Sequence, residues 1–250
     1  MNALRIIGNG AHKVLCLHGW FGSATGWGPW TETLDTQHFS WAFIDYRGYG
    51  ARLAEEGEFT IADIAADALA AADALDWPSF SMLGHSMGAV AMQRAWLSAP
   101  ERVRKLVALA PVPASGVAFD ERTWAYYQGA AESAEARRSI INYTTAKRLP
   151  ATWLTQMVRH SVANSTPEAF ATYLVAWAKA DFVAELQSPP VPLLALVGEL
   201  DPALGEAMAR ETYLKTYPNA QLEVLVNSGH YPMFETPLAM AASVERFLSG

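Results

Sequence analysis

Ser86, Asp201 and His230 are the three residues whose types and order could carry covalent chemistry in this chain. Ser86 sits in Gly84-His85-Ser86-Met87-Gly88, directly after the apolar run Phe80-Ser81-Met82-Leu83 and before Ala89–Leu97, a stretch of mostly good helix formers. A strand that turns into a helix within so few residues needs nearly side-chain-free neighbours, and it lifts one hydroxyl above the end of the sheet. A serine hydroxyl is a poor nucleophile unaided, so it needs a base, an acid to orient that base, and donors for a developing oxyanion. Asn227-Ser228-Gly229-His230 follows the last apolar run and supplies the base. Gly198-Glu199-Leu200-Asp201-Pro202 follows the run before it and supplies the acid. Aspartate before proline also starts turns, so Glu199 and Asp181 are the rival acids. The segment after Leu106–Leu109, Ala110 to Ser115, has no acid at all. The backbone N–H groups of Met87 and of Trp20, in Leu17-His18-Gly19-Trp20-Phe21-Gly22, are the expected oxyanion hole.

Such groups must be held at one sheet edge. Short apolar runs at Val14–Leu17, Trp41–Ile44, Phe80–Leu83, Leu106–Leu109, Val191–Val197 and Leu222–Val226 alternate with alanine-rich stretches. Thr60–Asp76 reads as a helix with Thr60 as N-cap and Asp63 as its partner, and Glu206–Thr216 and Pro237–Leu248 read as further helices. That alternation predicts an α/β fold with a parallel sheet covered on both faces, and reactive loops beyond the carboxyl ends of the strands. Only one strand, around Leu4–Ile7, fits before the Gly8-Asn9-Gly10 turn. From about Pro113 to Glu185 the strand signals stop and aromatics abound, among them Trp124, Tyr127, Trp153 and Trp177. The expected organisation is a core of residues 1–112 and 186–250 with residues 113–185 inserted as a helical cap. Most of the aromatics there are expected to pack between helices, and some to line an apolar pocket.

The chain has 250 residues, 51% of them apolar, enough for one substantial core. A net charge of −7 excludes general nucleic-acid binding, which needs a basic face. No apolar stretch approaches the ~20 residues that span a bilayer, and Met1-Asn2-Ala3-Leu4-Arg5 does not read as a secretory signal. The single cysteine, Cys16, falls in a strand run and is expected as a buried thiol, so the cytoplasm is the expected compartment. No metal-ligand spacing and no phosphate-cradling glycine loop occur, and no cofactor or metal is expected.

Together, His18-Gly19-Trp20, Asp45-Tyr46-Arg47-Gly48-Tyr49-Gly50, Gly84–Gly88, Asp201 and His230-Tyr231-Pro232 resemble the α/β-hydrolase superfamily, in particular its small, capped, cofactor-free bacterial members. The N-terminus is short for the first hairpin of fuller members. The resemblance implies a serine esterase acting on a small carboxylic ester through an acyl-enzyme. A C–C bond hydrolase or enol-lactonase would use the same triad, although Tyr231 stands where meta-cleavage hydrolases usually carry tryptophan. A receptor-like member with little turnover is the alternative of another class. Epoxide hydrolases and dehalogenases carry aspartate where Ser86 stands. His85 and His18 are expected to be structural, and Asp45 with Arg47 to form an internal ion pair. Arg137, Arg138, Lys147, Arg148 and Arg159 lie in a stretch, 137–160, with no acidic residue. A solvated helix face is one reading. A docking patch for an acidic carrier protein is the other, which the resemblance implies because one esterase of the superfamily uses its cap in this way.

Overall fold

The computed structural model describes residues 4–250, so Met1, Asn2 and Ala3, part of the segment read as lacking a signal, lie outside the described residues. Seven strands form one sheet: β1 (Leu4–Ile7), β2 (His12–Leu17), β3 (Phe39–Ile44), β4 (Phe80–His85), β5 (Val103–Leu109), β6 (Leu193–Gly198) and β7 (Ala220–Leu225). Their order across the sheet is β1-β3-β2-β4-β5-β6-β7; β1 runs antiparallel to β3 and every other pair is parallel. The chain leaves β2 for β3 on one side and returns with β4 on the other. The connections therefore diverge above the carboxyl ends of β2 and β4, where open α/β sheets leave a crevice.

β3, β4 and β6 are buried along their whole length, as continuous apolar strands covered on two faces must be. Cys16 is buried among them. The covering helices include α1 (Ile61–Ala74) and α2 (Met87–Ser98). In α1, Thr60 accepts from the Asp63 N–H while the Asp63 carboxylate accepts from the Thr60 N–H, a complete capping box. Between β5 and β6 the chain forms α3 (Glu121–Gly129), α4 (Ala134–Thr144), α5 (Ala151–Ala163) and α6 (Pro167–Ala178). The single helix expected over Glu206–Thr216 is two, α7 (Glu206–Glu211) and α8 (Tyr213–Thr216), broken at Thr212. The break turns Tyr213 inward, where its hydroxyl donates to the Val112 carbonyl at 2.8 Å. The C-terminus adds α9 (Pro232–Glu235) and α10 (Pro237–Ser249). Among the described residues, no helix is long and apolar enough to cross a membrane.

Two charge expectations fail. Asp45 and Arg47 do not pair: the Asp45 carboxylate accepts the Ala24 and Ala51 N–H groups at 2.7 and 3.0 Å, whereas Arg47 reaches Asp63 and Asp67 on α1 at 3.1 and 2.9 Å. The strand end aims Asp45 inward at loop N–H groups that need an acceptor, and the next turn aims Arg47 at acids spaced four apart. Nor do the basic residues of 137–160 form one surface. Arg137 is only 2% exposed. Its guanidinium donates to Ser161 and Ser165 hydroxyls at 2.8 and 2.9 Å and to the Ala130 carbonyl at 2.9 Å, and lies 3.6 Å over the Phe170 ring. Burial lowers its pKa. Arg148 is engaged by Glu235, and Arg138 is half-buried against Thr155. Lys147 and Arg159 remain exposed.

Candidate active site

Ser86 is the one residue between β4 and α2, and it adopts φ 53° and ψ −117°. A non-glycine residue there is strained by about 1–3 kcal/mol and persists only if its surroundings enforce it. The enforcement is steric. A Cβ on Gly84 would lie 2.5 Å from the Gly88 carbonyl oxygen, and one on Gly88 would lie 2.2 Å from that of Leu17. The start of α2 is thereby pressed against the loop that follows β2. On that loop, a Cβ on Gly19 would come within 3.2 Å of the Ser86 Cβ. The loop backbone thus runs directly beside the serine. Among the described residues, the backbone N–H groups of Trp20 and Met87 have no hydrogen-bond partner. Two free donors next to one hydroxyl suit an oxygen that gains charge.

His230 follows β7 and Asp201 follows β6, so parallel strands bring both to the same sheet edge. The His230 Nδ1–H donates to Asp201 Oδ2 at 2.6 Å. Asp201 Oδ1 accepts the Ala203 and Leu204 N–H groups at 2.9 and 3.0 Å. Burial alone would raise the Asp201 carboxyl. The adjacent His230 and the two backbone donors outweigh it and hold the group below the usual carboxylate range. The bond to Asp201 fixes the tautomer and leaves Nε2 as a proton acceptor. The rival acids are placed elsewhere: Glu199 is exposed and accepts the Asn227 N–H, and Asp181 is exposed.

His85 donates from Nε2 to the His230 carbonyl at 2.9 Å; burial, with His230 beside it, pushes it down to about 3. His18 donates from Nδ1 to the Gly19 carbonyl at 2.8 Å and stacks on Tyr46 at 4.0 Å, and burial lowers it to about 4. Both are neutral supports of the loops that carry reactive groups.

Ser86 and His230 open onto one cleft of about 760 Å³, counted to its mouth, walled by Trp20, Phe119, Tyr127, Ile140, Met157 and Trp177. Five of these come from the segment between β5 and β6, four of them on α3 to α6, and such aromatic and aliphatic walls suit an apolar group. The Trp20 indole stacks on Phe170 at 4.0 Å and donates its N–H to the Phe170 carbonyl at 2.7 Å. The sequence offered Trp20 only as a backbone donor; its side chain also ties the loop to α6. Nothing in the sequence placed Thr144, Arg148 and Glu235 around the His230 loop, although Arg148 is one of the basic residues of 137–160. The available signal was Pro232, which starts a helix that returns an acid to that loop. Among the described residues, no group of three or more His, Cys, Asp or Glu side chains is placed to hold a metal ion.

Comparison with known proteins gives a consistent picture. The profile of the alpha/beta hydrolase fold family matches residues 13–237. A pimeloyl-[acyl-carrier protein] methyl ester esterase of Serratia marcescens is 27% identical, over 97% of this chain and 96% of its own length. A 3-oxoadipate enol-lactonase of Acinetobacter baylyi is 27% identical, over 80% of this chain and 75% of its own. Among solved structures, an esterase from Exiguobacterium antarcticum superimposes with a TM-score of 0.87 at 18% identity, covering 99% of this chain and 95% of that one, which speaks for the fold.

Proposed function

The chain belongs to the α/β-hydrolase family, and from that premise we propose that it is a serine hydrolase that cleaves carboxylic esters with Ser86 as nucleophile, His230 as general base and Asp201 as the acid that orients it. The observation that carries the reading is the strained Ser86 beside two free N–H groups, sharing one cleft with a His230 already bonded to Asp201 at 2.6 Å.

His230 Nε2 takes the Ser86 proton as Oγ attacks the ester carbonyl. The Trp20 and Met87 N–H groups hold the oxyanion, and Asp201 stabilises the imidazolium. His230 then protonates the departing alcohol, which leaves an acyl-enzyme. Water, deprotonated by the same His230, releases the acid and restores Ser86. Losing one oxyanion donor in such a site costs about 2.7–4 kcal/mol. Residues 113–185 act as a cap whose aromatic wall sets acyl size, and a short to medium acyl or aromatic ester is the substrate class that fits. A cyclic ester is the second reading, favoured by the enol-lactonase relative. Docking of an acidic carrier falls to Lys147 and Arg159, since Arg137 is buried and Arg148 engaged. The buried Cys16 thiol agrees with a cytoplasmic site of action.

The test is a series of p-nitrophenyl esters of rising acyl length, run beside fluorophosphonate labelling with mass mapping. A label on Ser86, lost in Ser86→Ala together with turnover, and a clear chain-length optimum are expected. Labelling without ester turnover would point to C–C cleavage or a receptor. An unlabelled Ser86 would remove the nucleophile assignment.

A further inference from the structure

Three main-chain N–H groups around the base, those of Gly229, His230 and Tyr231, lie in a loop that no strand or long helix supports. Each nonetheless has its own acceptor. Glu235, whose carboxylate is 1% exposed, takes the Gly229 N–H on Oε2 at 2.8 Å and the Tyr231 N–H on Oε1 at 2.9 Å. The His230 N–H donates to the carbonyl of Thr144, the last residue of α4, at 3.1 Å. Both oxygens of one buried carboxylate thus bracket the histidine in sequence, one residue before it and one after.

A carboxylate so enclosed needs a counter-charge. Arg148, four residues beyond the end of α4, supplies it: the guanidinium donates to Glu235 Oε2 and, at 3.1 Å, to the Asn227 carbonyl at the head of the same loop. The fit is close on the backbone side as well. A Cβ on Gly229 would lie 2.9 Å from Thr145 Cα, 3.0 Å from the Thr144 carbonyl oxygen and 3.1 Å from Glu235 Oε1. The loop is therefore held between α9 and the end of α4, with no room for a side chain at Gly229.

We propose that Glu235, clamped by Arg148, is the positioning residue for His230, and that the end of α4 is thereby part of the machinery that aims the base. This rests on His230 being the base of the proposed hydrolase. Asp201 fixes the ring by its Nδ1, which leaves the ring free to swing if the main chain shifts. Glu235 removes that freedom by fixing the main chain on both sides. Arg148 holds the carboxylate in place by donating to Oε2, so its own effect passes through Glu235.

The experiment compares Glu235→Gln, Arg148→Met, Arg148→Lys and the Glu235→Gln/Arg148→Met pair in p-nitrophenyl butyrate hydrolysis and in the rate of fluorophosphonate inactivation. An amide offers one acceptor to two N–H groups, so Glu235→Gln is expected to lower kcat and the inactivation rate together by about tenfold to a hundredfold, the scale of a small misalignment of a catalytic group. KM is expected to stay unchanged. Arg148→Met falls in the same direction, Arg148→Lys recovers most of the loss, and the pair is no worse than Glu235→Gln alone. Unchanged kcat and inactivation in Glu235→Gln, a loss confined to KM, or losses that multiply in the pair would each overturn the proposal. If Glu235→Gln melts below the assay temperature, Arg148→Met and Arg148→Lys decide alone: a kcat loss in Met that Lys restores supports the clamp, and equal activities refute it. Turnover that survives Ser86→Ala or His230→Ala would instead bring down the hydrolase reading, before any Glu235 variant is consulted.

Discussion

Replacing Asp201 by asparagine removes one acceptor from a carboxylate that uses both of its oxygens. Oδ1 holds the Ala203 and Leu204 N–H groups, and Oδ2 holds the His230 Nδ1–H. Asparagine can place its oxygen on only one side. With the oxygen on the backbone pair, the amide NH₂ faces Nδ1, the ring proton moves to Nε2, and His230 has no lone pair for the Ser86 proton. With the oxygen on His230, the base is correct but the buried Leu204 and partly buried Ala203 N–H groups lose their acceptor, at about 1–3 kcal/mol each. The competent arrangement thus lies about 2–6 kcal/mol above the incompetent one, and at 1.36 kcal/mol per decade that is roughly 30-fold to 10⁴-fold. Loss of the negative charge beside the imidazolium adds to this, so kcat is expected to fall by about 10³–10⁴-fold, the scale seen when a triad acid is made neutral. The assay is p-nitrophenyl ester hydrolysis under saturating substrate, with KM recorded and the fold checked by circular dichroism. Glu199→Gln in parallel is expected to retain activity, because Glu199 is exposed and caps Asn227. A well-folded Asp201→Asn enzyme losing less than about tenfold would refute the tautomer argument and move the acid role away from Asp201.

Other outcomes follow from the buried charges and histidines. His85 and His18 are depressed by burial to about 3 and about 4 from 6.5, so the unfolded chain takes up protons first as pH falls. Their contribution to stability is complete above pH 6.5 and is lost on acidification toward 4. The urea midpoint should drop over that window and drop less in His85→Gln, and a flat midpoint in the wild type would contradict it. Arg137→Ala should cost about 2–4 kcal/mol in urea unfolding, because buried hydroxyl and carbonyl groups lose a charged donor and Phe170 loses its cover; an unchanged midpoint would mean that these bonds contribute nothing. If an acidic carrier docks at Lys147 and Arg159, reversing both should raise KM for a carrier-bound ester and abolish its salt dependence, while p-nitrophenyl butyrate is unaffected. Equal effects on both substrates would dispose of the docking surface.

What the sequence made legible was local. Gly84 and Gly88 flank Ser86 at a spacing that only a tight turn requires, and the structure places backbone carbonyls where their side chains would be. Thr60 and Asp63 satisfy each other within a single turn, so their helix start needed no tertiary information. The strand runs recur because a doubly covered sheet leaves no exposed positions along β3, β4 or β6. What stayed hidden depends on distant partners. Arg137 looked like one cation among five on a surface, but Ser161 and Ser165, 24 and 28 residues on, supply its acceptors and bury it. The helix over Glu206–Thr216 breaks at Thr212, beside Tyr213, whose hydroxyl donates to the Val112 carbonyl, 101 residues away. Asp45 and Arg47 are two apart in one motif, yet their partners lie on different elements. Glu235 was invisible for the same reason, since its role depends on how the chain doubles back after Pro232.

The segment between β5 and β6 meets the reactive loops at two separate points. At the first, Arg137 and Trp20 must cover opposite faces of the Phe170 ring, since the guanidinium stands 3.6 Å and the indole 4.0 Å from it. Tyr127 also stacks on Trp20, 5.9 Å away and nearly parallel. Stacked aromatic pairs contribute about 0.5–1.5 kcal/mol each beyond their buried area, so this column holds Trp20, whose N–H is the proposed oxyanion donor. At the second point, Thr144 and Arg148 hold the main chain around His230. A segment that only covered the cleft could be exchanged with effects on substrate choice alone. Because this one grips the Trp20 loop with α6 and the histidine loop with the end of α4, the proposed mechanism predicts that a change shifting either helix moves kcat along with acyl preference. On that mechanism, selection for a new acyl group is expected to fall on wall positions that leave Phe170 and Thr144 where they are.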